Sequence, residues 1–265
     1  MSGYDFVVAG IAVFLIMNFA SFFAIHLKRN DVADVVWGPG FLISGVALLI
    51  YKLWSDPNFQ VHARMIVVLG LVGAWALRLF FHIGLRTIKA SHEDARYAKM
   101  RQGWSAKERV NSYTRVFLLQ GVIMYLVALP IYIIIASDPH EIGLECYFGV
   151  AVWIFGFIIE SLADHQLTSF KKDFASKGKI MDRGLWGWSR HPNYFGEIIQ
   201  WWGIFILTLP LNFSWLAVLS PLAITFLILK VSGVTMLEKQ MQNRPGYKEY
   251  QARTSQFILW PPKST

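Results

Sequence analysis

Polar side chains recur at helical spacing inside otherwise apolar stretches of this chain. Arg78, His82 and Arg86 follow at i, i+4 and i+8, Glu160 and Asp164 at i and i+4, and Asn193, Glu197 and Gln200 at i, i+4 and i+7. On a helix each of these sets lies along one face. An ionisable group at membrane depth is costly and by default marks a functional site. The plain structural account is interhelical hydrogen bonding, with snorkelling near helix ends. Three stripes on the same side of the chain's apolar segments point further, to a polar cavity open to that side and walled by the third, fifth and sixth segments. Lys171, Lys172, Arg183 and Arg190 flank the stripes, and ammonium and guanidinium groups suit phosphate oxygens. The usual phosphate cradles are missing: there is no G-x-G-x-x-G after a strand and no G-x-x-x-x-G-K-[ST]. No H-E-x-x-H, no His/Cys set with zinc spacing and no G-x-S-x-G elbow occurs either. A nucleotide bound here would bind among helices, and no metal site is expected.

The elements that must position these groups are membrane helices. Of 265 residues, 55% are hydrophobic and 16% charged, with a mean hydropathy of +0.41, too apolar for an ordinary soluble domain. A helix needs about 20 mostly apolar residues to cross the hydrocarbon core. Seven stretches meet or approach that length, at roughly 5–27, 35–53, 65–85, 116–136, 144–164, 194–209 and 214–235. The sixth is short and ends at Pro210. The opening MSGYDF carries no basic region, so the first stretch reads as a retained helix and not as a cleavable signal. The single Cys146 allows no internal disulfide. No internal repeat or low-complexity stretch divides the chain, which reads as one integral membrane domain over residues 1–265.

Charge sets the orientation. The connectors at 28–34, 86–115 and 165–193, with the tail from Lys230, hold 22 of the 25 Lys and Arg residues. Basic connectors mark the cytoplasmic side, so the N-terminus is expected outside and the C-terminus in the cytoplasm, consistent with an odd number of spans. The net charge of +8 is then mostly one basic face, attracted to anionic headgroups. Nothing resembles a nucleic-acid recognition module.

Several segments carry a family resemblance. RHPNYFGE at 190–197 looks like the C-terminal signature of membrane steroid 5-alpha-reductases and their bacterial relatives, often labelled a domain of unknown function (DUF1295). ADHQLTSFKK at 163–172 and RPGYKEYQARTSQFILWPP at 244–262 resemble segments of that group in the same order. So do DVVWGPGF at 34–41, LRLFFHIGLR at 77–86 and EDARY at 93–97. The three matches in order are specific. An isolated R-H-P-x-Y is weak, since it also occurs in isoprenylcysteine carboxyl methyltransferases, which bind S-adenosylmethionine.

The resemblance implies an all-α, seven-span reductase with NADPH in a cytoplasm-facing cavity of its C-terminal half. Residues of about 1–140 would then serve the substrate and about 141–265 the cofactor. By matching position, Asp164, Lys171, Arg190, His191, Asn193, Tyr194 and Glu197 would line the cofactor site, with Tyr247 and Tyr250 closing it from the tail. Asn193 and Glu197 could bond the nicotinamide carboxamide as donor and acceptor, and Arg190 and Lys171 could meet the phosphates. An interfacial aromatic belt explains Tyr247 and Tyr250 equally well. Family reductases are thought to hold the substrate ketone with a glutamate on span two and a tyrosine on span three; here those spans offer Asp34 and His82, with Tyr97 in the following loop. The candidate catalytic groups are therefore Asp34 (as a neutral acid), His82 and Tyr97, any of which could donate to an oxygen where charge develops. A helix-entry cap at Asp34 with an anchor at Trp37 is the competing account.

The expected activity is NADPH-dependent reduction of a double bond conjugated to a carbonyl in a steroid-like or other lipid. The expected setting is a bacterial inner membrane, or the endoplasmic reticulum in a eukaryote. Two alternatives stand beside it. One is a membrane methyltransferase using S-adenosylmethionine, disfavoured because that cofactor has no phosphates for the basic groups. The other is a seven-helix transporter or receptor, disfavoured because the polar stripes do not continue through the membrane.

Overall fold

A computed structural model describes residues 2–104 and 107–263. Among these residues the backbone is helical, and pairing of strand type is confined to an isolated parallel bridge between Ser189 and Ser255. The main helices are α1 (Gly3–Leu27), α2 (Val32–Ser55), α3 (Ala63–Lys89), α4 (Ala95–Gln102), α5 (Glu108–Val127), α6 (Leu129–Ala136), α7 (Leu144–Lys172), α8 (Pro192–Ile206), α9 (Ser214–Met241) and α10 (Tyr247–Arg253).

Five of them, α1, α2, α3, α7 and α9, are long and apolar enough to cross a membrane, and α5 with α6 makes a sixth if the bent pair is one broken span. The segment expected as the sixth span is shorter than required. Helix α8 has 15 residues, about 22 Å at the α-helical rise against a hydrocarbon core of about 30 Å. The pair α5–α6 bends by 50° for an identifiable reason. Pro130 has no N–H for the carbonyl one turn back. Ile131 and Tyr132 then both donate to Ala128 O, and Ser220 Oγ donates to Val127 O. A carbonyl buried inside the protein is thus kept satisfied by a side chain.

The chain divides into two compact units, Met1–Ile142 with Thr208–Ser220, and Gly143–Leu207 with Pro221–Thr265. In the first, α2 packs closely on α3 because Gly38 has no Cβ; one built there would lie 3.1 Å from Ala76 Cα and O. The Phe41 and Trp75 rings meet edge to face between them at 5.7 Å, and Leu48, Met65, Val68 and Val72 on the same two helices are buried. Polar groups close both ends. At one end, buried Asp5 accepts from Ser2 N at 2.6 Å and lies 3.7 Å from Lys52 Nζ. At the other, Arg29 donates to both oxygens of Asp31, at 3.0 and 2.7 Å, and to Ala90 O at 2.9 Å. Arg101 donates to Glu93 at 2.7 Å and to Lys28 O at 3.1 Å. This clasp ties the connector after α1 to the connector after α3, residues some sixty apart in sequence.

In the second unit α7 and α8 meet backbone to backbone. A Cβ on Gly196 would lie 2.6 Å from Glu160 N and from Gly156 O, and one on Gly203 would lie 2.8 Å from Gly149 O and Trp153 N. Small residues permit this approach, and in a bilayer, where lipid is as apolar as leucine, close packing and polar rungs hold helices together.

Candidate functional site

Two polar constellations stand out, one in each unit. The first begins at α4, a helix of eight residues whose start is capped by Asp94 Oδ1 accepting from Arg96 N at 2.9 Å. This cap presents Arg96 and Tyr97 to α2. Tyr97 donates its hydroxyl to Asp34 Oδ1 at 2.6 Å, and its own oxygen accepts from Gln120 Nε2 at 2.9 Å. Arg96 Nη2 donates to Asp34 Oδ2 at 2.6 Å, while its Nε reaches Asp94 Oδ1 at 3.0 Å.

Both oxygens of Asp34 therefore accept, as those of an ionised carboxylate do. The neutral acid expected at this position does not match that geometry, because the group already receives a phenol proton on one side and a guanidinium on the other. The cap account of Asp34 also fails, since α2 starts at Val32 with Asp31 at its N-cap position. Burial, and then the Asp34 charge, push the Tyr97 hydroxyl well above its ordinary range, so it keeps its proton. Burial alone would raise the Asp94 carboxyl, but its bonds from Arg96 prevail and hold it below its ordinary 3.8. His82 lies half-buried on α3.

The second constellation centres on Glu238 of α9. Arg190 Nε and Nη2 form a two-pronged bond to its carboxylate at 2.9 and 3.0 Å. His191 Nε2 at 2.9 Å, Tyr247 OH at 2.9 Å and Gln251 Nε2 at 2.8 Å donate to the same two oxygens. Arg190 Nη1 also donates to Thr254 O at 2.7 Å and Gln251 O at 3.3 Å. All but one of its N–H donors are thus engaged within the protein, which leaves little for a phosphate. The tail after α10 is pinned to the same loop. Ser189 Oγ donates to Phe257 O at 2.7 Å, Arg190 N to Ser255 O at 2.9 Å, and Tyr250 OH to Trp186 O at 2.6 Å. Tyr247 and Tyr250 are buried, 3% and 4% exposed, so neither belongs to an interfacial belt.

The remaining candidates lie on α7 and α8. Asn193 Nδ2 donates to Asp164 Oδ1 at 3.1 Å, and Gln200 Nε2 to Glu160 Oε2 at 2.6 Å. Two of the stripes visible in the sequence thus meet as rungs on either side of the Gly156–Gly196 contact. Tyr194 and Glu197 are half-buried on α8 and Lys171 is exposed at the end of α7; the Tyr194 ring stacks near His191 with centroids 5.8 Å apart. Arg96, Gln120, Glu238 and Gln251 were not anticipated. Gln120 had one signal, as a lone amide in an apolar span; Glu238 sits in a polar tail where an acid is unremarkable.

Burial, helped by the flanking Arg190 charge, lowers the His191 imidazole below its ordinary 6.5 despite the Glu238 bond. The folded state therefore holds it neutral, donating from Nε2. A depressed histidine contributes stability that is complete above the unfolded value and is lost as pH falls through 6.5. Thermal melts in detergent at about pH 7.5 and about pH 5.5 should show a drop that His191→Gln reduces. Equal drops in both proteins would mean that His191 takes up its proton without cost.

A family described as a protein of unknown function, DUF1295, matches residues 22–254. An uncharacterized protein of Schizosaccharomyces pombe is 23% identical over 287 residues, covering 96% of this chain and 79% of the yeast protein. The 3-oxo-5-alpha-steroid 4-dehydrogenase 1 of Bos taurus is 36% identical over 67 residues, 25% of this chain and 24% of that protein. The Rattus norvegicus protein of the same name is 30% identical over 101 residues, 38% of this chain and 34% of that one. The chain thus matches about a quarter to a third of each of these steroid dehydrogenases. No solved structure matches.

Proposed function

The chain belongs to the DUF1295 family, and from that membership we propose that it is a multi-pass membrane reductase. In this reading it uses NADPH to reduce a carbon–carbon double bond conjugated to a carbonyl in a steroid-like or other apolar lipid. The local similarity to 3-oxo-5-alpha-steroid 4-dehydrogenases supports the reaction class. The observation that carries the proposal is the Tyr97–Asp34 pair, a phenol that keeps its proton, held 2.6 Å from a carboxylate.

As the double bond is reduced, negative charge develops on the carbonyl oxygen, and a fixed donor aimed there lowers the barrier. Tyr97 is our choice for that donor, turning its O–H from Asp34 to the substrate oxygen. Gln120 keeps donating to the phenol oxygen, which polarises the O–H further. Arg96 holds the Asp34 charge in place. His82 stays a second candidate donor, on α3.

The donor set of the second unit fits a nicotinamide dinucleotide. Asn193 and Glu197, one helical turn apart on α8, offer donor and acceptor to a carboxamide, with Asp164 orienting Asn193 at 3.1 Å. Lys171 and Arg183 bring cations for phosphates, and Tyr194 offers a ring. Arg190, His191, Tyr247 and Tyr250 act in our assignment chiefly by shaping the loop around the site. Bound there, the cofactor would supply the hydride. The first unit correspondingly takes the substrate. We also infer seven crossings with the N-terminus outside, α8 counted as a short crossing packed against α7, supported by the one-sided distribution of 22 of the 25 basic residues.

The direct test is a titration of purified protein with NADPH, NADH and S-adenosylmethionine at one salt concentration. Tighter binding of NADPH than NADH is expected, because the extra phosphate offers another charge-assisted contact. Selective binding of S-adenosylmethionine would replace the reductase by a methyltransferase. Tyr97→Phe should then lower turnover of a polycyclic or long-chain enone about 10²-fold, the scale for a positioned proton donor, with NADPH affinity unchanged. Full turnover in that variant would move the role to His82.

A further inference from the structure

Helix α7 has 29 residues, about 44 Å at the helical rise, which spans the hydrocarbon core and the headgroup layers beyond it. The turn that follows it therefore sits at a membrane surface. Its shape is set by Asp173. Oδ1 accepts from Ala175 N and Oδ2 from Ser176 Oγ, both at 3.0 Å, and Lys177 N returns to Phe174 O at 3.2 Å. The carboxylate is thus spent inside the turn, and what the turn presents outward is Phe174, 91% exposed. Lys172, Lys177 and Lys179 around it are all exposed. A phenylalanine this exposed is unfavourable against water but suited to the boundary between headgroups and acyl chains.

We propose that this turn is a lipid-charge anchor, with Phe174 inserted at the acyl boundary and Lys172, Lys177 and Lys179 on anionic headgroups of the same leaflet. The choice of partner follows from charge complementarity and from depth. The three lysines flank Phe174 in sequence and are exposed with it, and the end of a membrane-spanning helix brings the turn to headgroup level. The consequence reaches the loop before α8. The connector from this turn leads to Leu185, whose N–H bonds Gln166 Oε1 of α7 at 3.1 Å, so anchoring the turn steadies the entry to the Arg190–His191 segment.

The test uses the full chain in nanodiscs, where both bilayer faces are accessible. Cys146 is buried, so Phe174→Cys can be labelled selectively with an environment-sensitive fluorophore. In bilayers of phosphatidylcholine with phosphatidylglycerol the emission should be brighter and blue-shifted relative to phosphatidylcholine alone. Replacing Lys172, Lys177 and Lys179 by serine should abolish that difference, since at the general value per surface lysine three of them favour the anchored state roughly a hundredfold. Identical emission in the two bilayers would overturn the proposal. So would a difference that survives the triple replacement, or one that arises only when a soluble protein is added, which would make the turn a protein-docking site.

Discussion

Replacing Glu238 by alanine is expected to cost the second unit about 3–5 kcal/mol, the scale for leaving one partner of a buried ion pair uncompensated. The Arg190 side chain is 9% exposed and that of Glu238 13%, so water cannot take over the lost contacts. Four side chains would lose their acceptor together: Arg190, His191, Tyr247 and Gln251. The tail should loosen from the 186–191 loop, visible as a large drop in melting temperature in detergent and as new protease cleavage after Met241. Glu249, exposed on α10, is the control, and Glu249→Ala should melt like the parent. A double replacement of Arg190 by Met and Glu238 by Leu should recover much of the loss, because no charge is then stranded. If Glu238→Ala melts like the Glu249 control, the constellation contributes nothing to folding and Arg190 is held by its backbone carbonyl contacts alone.

The second large effect is expected at the crossing of α7 and α8. Any side chain on Gly196 meets backbone on the facing helix at 2.6 Å, and backbone cannot swing aside as the end of a flexible side chain can. The helices must part, which stretches the Asn193–Asp164 and Gln200–Glu160 rungs together. Gly196→Leu should therefore destabilise the protein by about 3 kcal/mol or more, at or beyond the upper end for overpacking, and Gly196→Ala by less but still measurably. Gly70 on α3 is the contrast, because a Cβ there meets nothing within 4 Å. Gly70→Ala should be neutral or slightly stabilising, as alanine favours a helix interior. Equal melting temperatures for the two alanine variants would show that the α7–α8 crossing is looser than its geometry implies.

Much of this molecule was legible in one dimension because a bilayer imposes a length and a polarity on anything that crosses it. The five long helices follow from runs of apolar residues, and helical periodicity alone puts Asn193 with Gln200, and Glu160 with Asp164, on single faces. Periodicity does not say which faces meet. That Gln200 would find Glu160, 40 residues away, or Tyr97 find Asp34, 63 away, depended on helix crossings made possible by glycines and on a clasp of arginines between two connectors. The shortness of α8 and the bend at Pro130 likewise came from local backbone hydrogen bonding, which hydropathy does not register. Glu238 was the least visible of all. Its neighbours in sequence are ordinary surface residues, and only the folded tail brings Arg190, His191, Tyr247 and Gln251 to its carboxylate, where burial makes the charge balance decisive.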